Sequence, residues 1–412
     1  MSTRISAAIA AASIALFAGG CATTSFDAST ADGAVKASNA FGFDFYRQAR
    51  KGRDNFVCSP AGAAIALTMV AAGARGEPQA EMLRTLHIEP ENLPENLDKT
   101  YGSFAAILTA LKELDGKDGL ALNVASRLWI RKDLKPRPAY VSLLRDGFRA
   151  PLAEADFRAE REAVLSAINQ WASDETHGRI PQIHAKLHPL TRMVLANAVY
   201  MMGGWQEPFD KNDSHDGKFT TMEEEETWVK MMSQVSRFRY AQVRGAKLVE
   251  LPYKGGLSMI VILPSDVDGL ERIEDRLASS YVDWIGALEY KEVDLELPPF
   301  TVVTELPLVG MLQATGIKRA FDPDHAEFSG MTVEERLFIG DAIQTAWIGA
   351  DEKGTEYGAV TAAGWRVKDM YARDETPPPS PVIFHVDHPF LYLIRDVKSG
   401  AILFVGRMVK PS

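Results

Sequence analysis

Cysteine is nearly absent: Cys21 and Cys58 are the only two in 412 residues. No disulfide framework can hold this chain together, so a hydrophobic core must do it. Cys58 stands between Val57 and Ser59-Pro60, the setting of a buried thiol rather than of a nucleophile. Positive charge is also short. The formal net charge of −10 argues against a surface built to track nucleic-acid phosphates. No Gly/Ser-rich or like-charged linker interrupts 35–412, so one large domain is expected there. The run Glu223 to Glu226 reads as a solvated turn.

Catalytic signatures are missing too. There is no Ser-x-x-Lys, Gly-x-Ser-x-Gly, His-Glu-x-x-His, phosphate-binding Gly-Lys-Ser/Thr or Cys-x-x-Cys, so no enzyme and no cofactor is expected. His184 and His188 have an i, i+4 spacing, but Pro181 and Pro189 bracket them and no acidic third ligand is near in sequence. They are expected in a surface loop, with no metal. His385 and His388 fall in an expected strand, where that spacing points the rings to opposite faces.

What is present begins with an address. Met1 to Gly20 carries one charge, Arg4, before an Ala-rich apolar run from Ala7 to Ala18, the pattern of a secretory signal too short to span a membrane. It ends Leu16-Phe-Ala-Gly-Gly-Cys21, which resembles a bacterial lipobox. That resemblance implies lipidation of Cys21, a tether over 21–34, and, with Ala22 next, sorting to the outer membrane or cell surface. Cys58 is then left alone.

Local patterns give helices over Val35–Arg50 (Phe41, Phe45 and Tyr46 on one face), 61–72, 78–86, 98–114, 138–147 and 159–176 (Val164, Ile168 and Trp171 on one face). Ser59 as N-cap and Pro60 at the first helical position open the second. Leu120–Ile130 reads as a strand. Met193 to Tyr200 is a continuous apolar run with Asn197 in its middle, a strand buried on both faces whose amide must find partners. Leu248–Pro264 is a hairpin turning at Lys254-Gly-Gly256. Leu337–Gly349 and Val382–Ile394 are further strands. Between those two lie about thirty residues with little to bury, a connection of functional length. From Thr355 they alternate: Glu356 faces water, and Thr355, Tyr357, Ala359, Thr361 and Ala363 share the other face. This loop has the pattern of a strand.

The hinge-like run Glu352-Lys-Gly354-Thr355-Glu356-Tyr357-Gly358-Ala359 resembles that of the serpins, the serine-protease-inhibitor family. So do Asn55 with Ser59-Pro60, the Gly73-Ala-Arg-Gly76 ending, Asn197 to Phe209, Val229-Lys-Met-Met232, Leu295–Phe300, Leu306–Phe321, Val386–Phe390 and Ile402–Arg407. They occur in order over about 35–412. The resemblance implies an α+β fold of three β-sheets and about eight to nine helices, with an exposed reactive-centre loop over about 353–383. It implies a monomer whose partner is a serine or cysteine protease. The protease cuts the loop, is held as an acyl-enzyme, and is trapped as the loop inserts into the central sheet. The alternative is a non-inhibitory serpin that binds a ligand or plays a structural role.

The hinge-to-bond spacing of the family, counted forward from Glu352, lands on Lys368-Asp369; counted back from Pro389, it lands near Pro378. Lys368 implies a trypsin-like target. Arg366, Arg373 and Tyr371 remain candidates, the last for a chymotrypsin-like one. The resemblance gives Ser59, Asn197, Trp205 and Gln344 structural roles beneath the loop. Two positions depart from the family. Tyr357 stands where Ala is preferred, and Gln344 stands where many members have histidine. Gln344 is expected to bridge the Ser59 hydroxyl and the Asn197 amide without a titrating ring.

Overall fold

The computed structural model describes residues 27–52, 54–88, 97–354 and 380–411. Its helices are α1 (Ala31–Ala49), α2 (Pro60–Gly73), α3 (Gly76–Thr85), α4 (Leu97–Leu114), α5 (Pro138–Ser142), α6 (Arg161–Glu175), α7 (Leu270–Gly286) and α8 (Leu308–Ala314). Its strands are β1 (Phe56–Cys58), β2 (Ala121–Arg131), β3 (Ala153–Ala155), β4 (Met193–Met202), β5 (His215–Thr220), β6 (Glu226–Val243), β7 (Ala246–Pro252), β8 (Leu257–Pro264), β9 (Glu289–Leu297), β10 (Phe300–Pro307), β11 (Asp341–Ala350), β12 (Val382–His385), β13 (Phe390–Asp396) and β14 (Ile402–Met408).

Caps set where the helices begin. Ser59 Oγ accepts from Gly62 N at 3.1 Å, and Pro60 opens α2, as the sequence indicates. This helix is apolar all round because every one of its residues is buried. α1 starts earlier than Val35. Thr30 caps it through Gly33 N at 3.0 Å, and Ala34 is buried, so the last residues of the expected tether are helical. Over 138–147, α5 passes into a single π-helical stretch, Leu143–Gly147.

Two expected strands are shorter than their apolar runs. Residues 337–340 are not strand; Gly340 N instead donates to Met193 O at 2.9 Å, and β11 begins at Asp341. Val382–Ile394 is two strands. Pro389 has no N–H to donate, and the chain turns at 386–389 before β13. His385 closes β12, and His388 lies in the turn, so the expectation of both rings in one strand is corrected. The His388 ring is packed, with Nδ1 beside Asp387 Oδ1 at 2.6 Å and Nε2 beside Pro264 O at 2.9 Å.

The five-stranded sheet has the order β10-β11-β4-β2-β3. A nine-stranded assembly has the order β1-β14-β13-β8-β7-β6-β9-β12, with β5 also on β6. β6 is 18 residues long and joins two groups: its first part pairs with β5, its middle with β9 and its end with β7. The second and third expected sheets are therefore continuous through β6. The five-stranded sheet is covered on both faces, which is why β4 and β11 read as unbroken apolar runs. One face joins the main core. The other packs Trp129, Tyr200, Ile343 and Trp347 against Phe157 and against Ile168 and Trp171 of α6.

Candidate functional site

Within the five-stranded sheet, β11 pairs with β10 antiparallel and with β4 parallel. The parallel seam runs from Asp341 opposite Val194 to Trp347 opposite Tyr200. At its centre Gln344 faces Asn197. The two strands part above it. Among the described residues, Ile348, Gly349 and Ala350 pair with β10 only, while Met201 and Met202 pair with β2 only.

A buried amide network locks the seam. Gln344 Oε1 accepts from Ser59 N at 2.8 Å. Gln344 Nε2 donates to Ser59 O at 2.9 Å and to Asn197 Oδ1 at 2.7 Å. Asn197 Nδ2 donates to Ala125 O at 2.9 Å and to Ser126 Oγ at 3.0 Å. One glutamine thus ties β11 to β4 and to the start of α2, and one asparagine carries the tie on to β2. Ser59, Asn197 and Gln344 are all 0 % exposed, so each bond is made without competition from water. The expected bridge is present, with one correction: Gln344 holds the backbone of Ser59, because its hydroxyl already caps α2.

The chain leaves β11 through a tight turn, Asp351–Gly354. Asp351 O accepts from Gly354 N at 3.1 Å, and Asp351 Oδ1 accepts from Lys353 N at 2.8 Å. The turn is clamped to 204–209, and every clamp bond reaches a carbonyl. Trp205 Nε1 donates to Asp351 O at 2.8 Å, Phe209 N to Glu352 O at 2.8 Å and Trp205 N to Lys353 O at 3.0 Å. Trp205 is itself stacked on Tyr253, ring centroids 4.3 Å apart. Gly354 has φ +130°, and a Cβ there would collide with Gly203 O, so only glycine fits. The turn therefore sets residue 354 beside the C-terminal end of β4, where the seam opens.

Two groups at the seam carry unfavourable terms. Burial raises the Asp341 carboxyl above its ordinary range, opposed by hydrogen bonds from Lys186 N and Ala342 N. The Thr345 hydroxyl is buried with no hydrogen-bond partner among the described residues. Elsewhere, burial pushes the Cys58 thiol far up, which removes it as a nucleophile at neutral pH. His184 is exposed, 3.2 Å from Glu305, and His188 Nδ1 accepts from Leu190 N at 3.1 Å.

Over residues 36–411 the chain matches the family described as serpin (serine protease inhibitor). The chain belongs to the serpin family. An uncharacterized serpin-like protein of Thermococcus kodakarensis is 33 % identical over 92 % of this chain and 85 % of its own length. The human leukocyte elastase inhibitor is 32 % identical over 87 % of this chain and 93 % of its own. Among solved structures, human thyroxine-binding globulin complexed with thyroxine superposes with a TM-score of 0.82 at 25 % identity, covering 93 % of this chain and 100 % of that one. The α+β serpin fold is the one these strands and helices build.

The structure brings together Ser59, Asn197 and Gln344 at the seam, and Trp205, Glu352 and Gly354 at the turn. The remaining expected hinge residues Thr355, Glu356, Tyr357, Gly358 and Ala359 lie outside the described residues. So do the reactive-bond candidates Arg366, Lys368, Asp369, Tyr371 and Arg373, and Cys21. Sequence reading gave no role to Ser126, nor to Phe209 and Tyr253 within the matched segments. The Gly203-Gly204 pair before Trp205 was the available signal for a close backbone approach.

Proposed function

We propose that this serpin inhibits serine-type endopeptidases as a suicide substrate, by inserting its cleaved loop between β4 and β11. The observation that carries this is the placement of the Asp351–Gly354 turn. A chain turning there and running back down the seam is antiparallel to β11, and therefore to β4 as well. One parallel seam of seven paired positions becomes two antiparallel ones. About ten additional ladder bonds, at a net ~0.5–1.5 kcal/mol each, release on the order of 10 kcal/mol. That equals the whole stability of an ordinary domain. Insertion must first break the Gln344–Asn197 bond, which holds the seam shut until the loop is cut. An acyl-enzyme dragged along by the strand loses the alignment of its triad and oxyanion hole, and its ester persists. The name of the human relative, an elastase inhibitor, agrees with this reading.

Incubation with trypsin, chymotrypsin and subtilisin tests it. A covalent complex that survives boiling in SDS is expected with at least one of them. Cleavage with neither a complex nor a rise in melting temperature would defeat the proposal.

A second reading, a non-inhibitory binding serpin, is favoured by Tyr357. A ring on the inward face slows insertion, and slow insertion frees the protease. The likeness to thyroxine-binding globulin is consistent with it. Cleavage that raises the melting temperature without forming a complex is its signature. The lipobox-like Leu16–Cys21 supports export as an envelope lipoprotein held by lipid on Cys21, facing the periplasm or the cell surface. Cys21→Ser should release the protein from the membrane fraction.

A further inference from the structure

Three cations from separate parts of the chain meet in a pocket away from the seam. Lys112 is in the last turn of α4, Arg127 is in β2, and Arg149 follows Phe148. Phe148, Pro151 and Trp171 complete the wall, and Glu175 is the one acidic residue in the lining. The space is narrow, with only about 20 Å³ open to the centre of a water-sized sphere.

The charges there are out of balance. Glu175 is already engaged, accepting from Asn123 Nδ2 at 2.7 Å. Arg127 is held between aromatic rings, its guanidinium carbon 5.9 Å from the Trp129 centroid and 5.7 Å from that of Trp171. Its Nε is buried and finds no acceptor among the described residues. Among the described residues, neither Lys112 nor Arg149 makes an ion pair or side-chain hydrogen bond there. Lys112 is held below its ordinary pKa by burial, opposed by Glu175 and Asp115 and reinforced by Arg149. Three positive groups and one negative leave an excess of two positive charges, on a protein whose net charge is −10. A buried donor on a cation with no acceptor is rare and calls for a ligand.

We infer that this pocket is an oxyanion site, taking one phosphate or sulfate group between Lys112, Arg127 and Arg149. The guanidinium offers planar N–H donors to the oxygens, and the ammonium adds a point charge. The narrow space takes an oxygen of the anion and keeps the rest of the group at the mouth. The same chemistry is supplied by free phosphate and by a phosphate ester projecting from a larger molecule. Ala125 and Ser126, which accept from Asn197, also line the pocket, so an occupant sits one strand from the Gln344 network.

The test uses the intact, uncleaved protein at fixed ionic strength, since exposed charges respond to salt alone. Binding is read by calorimetry and by the shift in melting temperature with inorganic phosphate, inorganic sulfate or sn-glycerol 3-phosphate, each against sodium chloride. Saturable one-to-one binding is expected. Response to all three marks free anions as ligands; response to the glycerol ester alone marks an esterified source. Arg127→Gln should weaken binding at least tenfold, and Lys112→Gln several-fold. If Arg127→Gln fails to fold, Lys112→Gln and the exposed Arg149→Gln decide the matter. No saturable binding by any of the three, or equal binding by parent and variants, overturns the inference.

Discussion

Replacing Gln344 with methionine removes the amide while filling nearly the same space. The cost follows from which partners are left alone. Ser59 O keeps a bond from Ala63 N at 3.0 Å, so it is not orphaned. Ser59 N and Asn197 Oδ1 have no other partner among the described residues, and both residues are 0 % exposed. Two buried orphans at about 1–3 kcal/mol each give a loss of roughly 4 kcal/mol. With an unfolding entropy of about 2.1 cal/mol/K per residue, that lowers the melting temperature by about 5 °C for a chain of this length. Tryptophan fluorescence in urea reads the free energy, and calorimetry reads the temperature. Protein nicked in the loop provides a second arm. On the proposed insertion Gln344 is already separated from Asn197 there, so only Ser59 N is orphaned and the loss falls to about 1–3 kcal/mol. An intact variant within about 1 kcal/mol of the parent would refute the role given to this amide. Equal losses in intact and nicked protein would show that no strand had entered the seam.

Three further outcomes are expected. Gly354→Ala places a side chain at φ +130° against Gly203 O, so it should destabilise the turn by about 1–3 kcal/mol and expose 351–354 to limited proteolysis; an unchanged digestion pattern would contradict the clamp. Glu250→Ala leaves Arg395 and Arg239 unpaired at a residue 5 % exposed, and should cost about 3–5 kcal/mol by denaturant unfolding. Burial alone would raise the Glu250 carboxyl, but Ser258 and the two arginines outweigh it and the net shift is downward. Its stabilisation is thus present above the unfolded value of 4.5 and lost as pH falls through the lower folded value. Asp341 acts in the opposite sense. Its folded pKa is raised, chiefly by burial, so its proton favours the fold below 3.8 and that stability is lost as pH rises through the folded value. An NMR titration should place the Asp341 midpoint above 3.8; a midpoint at or below it would count against this account.

The parts of the fold legible in the sequence were those set by local rules. Ser59-Pro60 announced a cap, Lys254-Gly-Gly256 a hairpin, and the apolar run around Asn197 a strand buried on both sides with an amide needing partners. What escaped depended on distant chain. The start of α1 rests on a Thr30 cap that a search for apolar periodicity passes over. Val382–Ile394 reads as one strand until β12 is seen to pair with β9 while β13 pairs with β8 and β14. The Gln344 bridge was foreseen, but not its choice of the Ser59 backbone, because the hydroxyl serves two neighbourhoods and only geometry decides between them. Lys112, Arg127 and Arg149 gave no signal at all, being drawn together from a helix end, a strand and a loop.

The turn at 351–354 has one more consequence. Its clamp grips the chain by carbonyl oxygens, which every residue type possesses. Side-chain identity at 353 is therefore free to drift while the path of the backbone stays put, provided glycine persists at 354; Glu352 adds one side-chain tie of its own, accepting from Ser214 Oγ at 3.3 Å. Selection can reshape what lies past this fastening without loosening the fastening itself.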